Sequence, residues 1–155
     1  MSMNVTQCRE LIKEVLLELD PKFYSANAEE LLVGTMAVES NFGYHLRQIP
    51  NGPGSGYFSI EPATEASIWN HYLKYRPELA ERVTSITGIS GPTPKALIRR
   101  LDYQIIMARL KYRTCPGKIP SSLLERAWYW DTYYNGNPYY GTVEDYVGKY
   151  NKYCR

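Results

Sequence analysis

What most constrains this chain is a helical spacing of apolar residues that recurs through most of its length and is cut into segments by prolines and glycines. From Asn4 to Leu19 the residues Val5, Cys8, Ile12, Val15, Leu16 and Leu19 keep the i, i+3, i+4 rhythm of an amphipathic helix. Asn4 opens it, with Gln7 three positions on, and Pro21 stops it. Asn27, with Glu30 three positions on, opens a second helix that carries Leu31, Leu32, Thr35 and Val38 on one face and ends near Ser40, ahead of Gly43. A third begins at Pro62, runs through Trp69, Tyr72 and Leu73 to a break at Pro77, and continues briefly over Leu79, Val83 and Ile86 to Gly88. Thr93 as cap and Pro94 at the first position start a long helix bearing Leu97, Ile98, Leu101, Ile105 and Ala108, which must end before Pro116 and is expected to be the central core helix. Ser122 and Glu125 make a capping box for the helix of Ala127, Trp128, Trp130 and Tyr134, and Thr142 opens a last one with Val143, Tyr146, Val147 and Tyr150.

Between Gly43 and Ile60 the helical period disappears. Asn51-Gly52 and the run Pro53, Gly54, Ser55, Gly56 supply turn chemistry there, which predicts a small hairpin or a long loop. About six helices and one small β element predict a mostly helical α+β domain over residues 1–155.

Composition excludes several functions. Eighteen Lys and Arg face sixteen Asp and Glu, and a net charge of +2 is too small for a nucleic-acid footprint. No apolar run approaches the roughly 18 residues of a membrane span, so no membrane insertion is expected, and the start, Met1 to Thr6, lacks the basic and apolar regions of a signal peptide. Cys8, Cys115 and Cys154 are odd in number and widely spaced, which suggests reduced structural thiols. With only His45 and His71 and no paired-cysteine motif, neither a metal nor a cofactor is expected. Phosphate-binding glycine motifs and a serine-hydrolase elbow are likewise missing.

One carboxylate stands in an unusual place. Glu39 follows Leu32 by seven residues, so it points within about 20° of an apolar position, at the negative end of the helix dipole. Burial and a helix C-terminus both raise a carboxyl pKa, as a general acid working near neutral pH requires. The alternative is a glutamate that reaches water from a frayed helix end.

The segment Thr35, Met36, Ala37, Val38, Glu39, Ser40, Asn41, Phe42 resembles the Glu-Ser segment of lysozyme-like lytic transglycosylases, in the superfamily of soluble lytic transglycosylases and goose-type lysozymes. Gly56, Tyr57, Phe58, Ser59 with Pro62, Ala63, Thr64 resembles that family's Gly-Leu-Met-Gln block and its Pro-Ala-Thr. Asp102 to Leu110 is similar to the helix ahead of the third block, and Tyr134-Asn135-Gly136 resembles its Tyr-Asn-x-Gly signature, so the likeness covers about residues 28–140. It implies a lysozyme-like fold and cleavage of peptidoglycan glycan strands at the bond between N-acetylmuramic acid and N-acetylglucosamine. By the resemblance, Glu39 is the acid and base, Tyr134 holds its carboxyl group or the substrate, Asn135 shapes the floor, and Ser40, Phe58, Ser59 and Tyr139 contact substrate. The sequence departs from the pattern at Ser59, which stands where the family carries glutamine and is too short for the same contact.

Glycoside hydrolysis normally needs two carboxyls, yet Gly43 to Ile60 contains no Asp or Glu, which favours a single-carboxylate transglycosylase. Glu61, Glu65 and Asp131 stay open as second carboxylates of an inverting muramidase, and an inactive glycan-binding or virion protein of the same fold stays open as well. Without an export signal, such a domain is expected to be made in the cytoplasm and to reach the wall in phage lysis or within a virion, with virion proteins as further partners. Eight of the fifteen tyrosines lie between Tyr129 and Tyr153, and most are expected to be core, with Tyr134 and Tyr139 or Tyr140 facing substrate. His45 and Arg47 are either solvated loop charges or contacts for peptide carboxylates.

Overall fold

The computed structural model describes residues 3–47, 52–115, 117–136 and 141–155. Among them are eight α-helices: α1 (Val5–Leu19), α2 (Ala26–Ser40), α3 (Pro62–His71), α4 (Pro77–Thr87), α5 (Ala96–Arg99), α6 (Leu101–Arg113), α7 (Leu123–Tyr133) and α8 (Val143–Tyr153). Single 3₁₀ turns, Pro21–Phe23 and Leu73–Tyr75, follow α1 and α3. Prolines sit where their fixed φ and missing N–H cost nothing, at the start of α3, of α4 and of the first 3₁₀ turn.

Helix α2 is buried on all sides rather than along one face: Leu31, Leu32, Val33, Met36 and Ala37 are each inaccessible to solvent. It packs against α8 most extensively, and also against α1, α6 and α7. Gly34 makes the α8 contact possible, because a β-carbon there would collide with the Tyr146 hydroxyl, which donates to the Leu31 carbonyl at 3.1 Å. α2 starts two residues earlier than its Asn27–Glu30 pair suggests. Ser25 has the extended backbone of a cap and accepts from Ala28 N–H at 3.0 Å, leaving Asn27 inside the helix.

The long helix expected after Pro94 is two helices. Arg100 is extended (φ −122°, ψ 101°), and the Gly56 loop is wedged against the Leu97 carbonyl with no room for a β-carbon. Gln104 secures the break by accepting from Tyr57 N–H at 2.9 Å and donating to the Ala96 carbonyl at 3.3 Å. This is tertiary contact overriding a favourable local pattern. Thr93 does not cap α5; its hydroxyl donates to the Gly91 carbonyl at 2.9 Å.

Where a small hairpin or a long loop is expected, no strand is found among the described residues. Among the described residues only isolated bridges occur, Arg47 with Ser55 and Ser55 with Ile60; Asn51 of the expected turn lies outside them. Ser55 and Ile60 exchange both backbone hydrogen bonds at 3.0 Å around a loop in which Gly56 (φ 80°) and Ser59 (φ 48°) are left-handed. That conformation reverses the chain before a strand can extend.

Candidate active site

The end of α2 is tied down rather than frayed. Asn41, Phe42 and Gly43 all take positive φ (51°, 56° and 87°), and Phe42 N–H closes back onto the Met36 carbonyl at 3.1 Å. The Ser40 hydroxyl donates to the Met36 carbonyl and accepts from Gly43 N–H, both at 2.9 Å, while Lys149 from α8 donates to the Asn41 side chain. Phe42 itself is buried in the core. Glu39 therefore projects from a fixed point, which excludes the frayed-end reading.

Its carboxyl opens onto a cleft of about 460 Å³ walled by the last turn of α2, the Gly52–Pro53 and Ser59–Glu61 segments, Thr64 and Lys111, and the end of α7 with the residues after it. Crowding by these elements pushes the Glu39 pKa up to about 7, and burial is the main cause. The positive Lys111 and the Trp130 indole N–H, which donates to Glu39 Oε2 at 3.4 Å, both oppose that rise. Near neutrality Glu39 thus passes between its protonated and charged forms, beside open space and with one side-chain hydrogen-bond donor among the described residues.

Lys111 comes from the last turn of α6. Its ammonium lies 3.7 Å from the centre of the Tyr134 ring and donates to the Tyr134 carbonyl at 2.9 Å. Burial lowers its pKa, whereas the charges of Glu39 and Glu61 act the other way.

The residues selected from the sequence divide into two groups. Ser59, Tyr134 and Asn135 join Glu39 at the cleft. The Ser59 hydroxyl donates to the Glu39 carbonyl at 3.2 Å, and the Asn135 amide donates to Asp131 at 3.1 Å and to the Gly141 carbonyl at 2.9 Å. Tyr134 is buried and stacked on Tyr112 at 4.8 Å, and its hydroxyl donates to the Phe58 carbonyl at 2.6 Å. Among the described residues the side-chain donor to the Glu39 carboxyl is Trp130, and Tyr134, close enough to feel the Glu39 charge, commits its hydroxyl proton to the Phe58–Ser59 loop. Ser40 and Phe58 are turned away from the cleft: Ser40 belongs to the α2 terminus, and the Phe58 ring is fully buried, since an exposed phenyl would forfeit its burial free energy. Tyr139 and Tyr140 lie outside the described residues.

The three other carboxylates also separate. Glu61, exposed at the start of α3, lines the same cleft as Glu39. Asp131 holds Asn135, and Glu65 is wholly buried on the far side of α3, where it accepts from Thr93 N–H at 2.8 Å and from the Tyr103 hydroxyl. Neither His45 nor Arg47 lines the cleft; His45 packs edge-on against Tyr44 at 4.8 Å. Sequence reasoning missed Lys111 and the donor role of Trp130. A signal existed for the lysine, because it stands three and four residues after Ala108 and Met107, two apolar positions of the same helix face.

Among the described residues no cluster of His, Cys, Asp and Glu is placed to hold a metal, and no helix is long and apolar enough to cross a membrane. Comparison of the chain with protein families, with curated proteins and with solved structures finds no match.

Proposed function

We propose that this protein cleaves peptidoglycan glycan strands as a lytic transglycosylase, acting between N-acetylmuramic acid and N-acetylglucosamine with Glu39 as its acid and base. What supports the reading is Glu39 itself, a carboxyl rigidly presented to an open cleft and shifted by burial to a pKa of about 7. A group so poised donates a proton and takes one back at similar cost. In the proposed cycle Glu39 protonates the glycosidic oxygen and the C1–O bond breaks. The muramic acid 6-hydroxyl then bonds to C1 while its proton returns to Glu39, leaving a 1,6-anhydro end and the enzyme in its starting state. The motif order around Glu39, Ser59 and Tyr134 supports the same substrate class.

Glu61 supports a second reading, because it faces the same cleft and is a candidate base for water in an inverting muramidase. Digestion of purified peptidoglycan followed by mass spectrometry separates the two. Anhydro ends are expected, and reducing ends, heavier by one water, select the hydrolase. Binding without cleavage selects a non-catalytic glycan-binding protein.

A further inference from the structure

A second cleft, of about 320 Å³, runs along the outer side of α3 and meets the main one at Thr64 and Lys111, which line both. Its floor is the nearly buried Ile68, its walls carry the hydroxyls of Ser67 and Thr114, and His71 stands at its side. No aspartate or glutamate is among the residues that line it. Beyond its lining, the Arg76 guanidinium sits over the Tyr72 ring, 3.9 Å from the ring centre. Lys111, at the junction, uses one of its three N–H groups on the Tyr134 carbonyl. Among the described residues it makes no ion pair, so two donors of a partly buried ammonium remain for something else. Glu39 and Glu61 face Lys111 across the main cleft without forming an ion pair with it, and on the side of the second cleft a ligand carboxylate would give the ammonium a direct, charge-assisted partner.

We propose that this second cleft is a binding site for a carboxylate-bearing branch of a glycan lying in the main cleft, with Lys111 as the residue that reads the carboxylate. The site rests on the glycan reading above and adds to it a preference for branched, anionic strands over neutral ones. Two branches offer this chemistry: the free lactyl group of a bare muramic acid and the stem peptide joined to it.

The test uses the Glu39→Gln chain, so that strands are not consumed, titrated at low ionic strength with three probes. These are an N-acetylglucosamine hexamer, glycan strands stripped of peptide, and peptide-bearing glycan strands. Calorimetry is expected to show a carboxylate-bearing strand binding about tenfold tighter than the neutral hexamer. That preference is lost in Lys111→Met and largely restored in Lys111→Arg. Amide shifts at Ser67, His71 and Thr114 report the same contact without any change at Lys111, and they are expected with the anionic strand and absent with the hexamer. A preference already present with stripped strands assigns the site to the lactyl carboxylate, and one confined to peptide-bearing strands assigns it to the stem. Equal binding of all three probes, with shifts confined to the main cleft, overturns the second site and leaves the glycan reading standing. Binding of none of them overturns both.

Discussion

Glu39 and Glu65 are both glutamates drawn out of water, and their surroundings differ in kind. Glu65 is inaccessible to solvent, and its Oε2 receives the Tyr103 hydroxyl and Thr93 N–H while Tyr103 is itself held by the Trp69 indole at 2.8 Å. This chain of bonds ties the linker before α5 to α3 and α6. Among the described residues Glu39 has one side-chain donor, at 3.4 Å, and it faces open space. Both donors to the tie fall on Oε2, and Oε1 of Glu65 is buried without a partner among the described residues, so the difference between the two glutamates is access rather than bond count: Glu39 faces a cleft and Glu65 does not.

The sharpest way to break this comparison is Glu39→Gln. On the proposed function, peptidoglycan cleavage is expected to fall about a hundred- to ten-thousand-fold. Stability should move the opposite way. Because the folded-state pKa is raised from 4.5 to about 7, the native state binds the extra proton, and stability is lost as pH rises between those values. The glutamine variant is therefore expected to be more stable than the parent by up to about 3 kcal/mol at pH 8, with little difference below pH 4.5; urea melts at both pH values check this. Unchanged cleavage removes Glu39 from the mechanism, and a destabilised variant at pH 8 removes the contrast with Glu65.

Next in size, Glu65→Ala strands the Thr93 N–H and the Tyr103 hydroxyl and should cost about 2–4 kcal/mol in the same melts. Any activity lost should follow the folded fraction. A Glu65→Ala chain that stays fully folded yet loses cleavage would place the tie and the chemistry together.

Trp130→Phe tests the one donor. Removing the N–H takes away a bond that favours the charged carboxylate, so the Glu39 pKa should rise. The alkaline limb of the pH–rate profile, where the general acid loses its proton, then moves upward. A carbon-detected titration of Glu39 measures the shift directly.

The smallest effect concerns Ser59. Ser59→Ala loses the hydroxyl bond to Glu39 while keeping a left-handed backbone, and should cost about 1 kcal/mol. Ser59→Gly loses the same bond but relaxes φ, and should be close to neutral. Equal losses in the two variants would mean that the backbone at Ser59 carries no strain.

Most helix positions were readable from residue spacing because a helix reports its own period, and prolines mark where one can begin. The split at Arg100 was not readable, since local pattern favours one helix there and a loop from Gly56, far away in the chain, pries it open. Glu39 was legible because a charge in an apolar register stands out against that period. Its neighbours were not: Trp130 reads as packing from its own helix, and its N–H becomes significant only when α7 is laid beside the end of α2.

The sequence by itself determined which segments are helical and that one glutamate ends a buried helix. Tertiary structure decided that Trp130 meets that glutamate while Tyr134 bonds to Phe58, that Glu61 faces the cleft while Glu65 is buried, and that Lys111 joins two clefts. Periodicity encodes which side of a helix is apolar, but partners between distant segments follow from how those faces pack, a property of the whole chain that no local window contains.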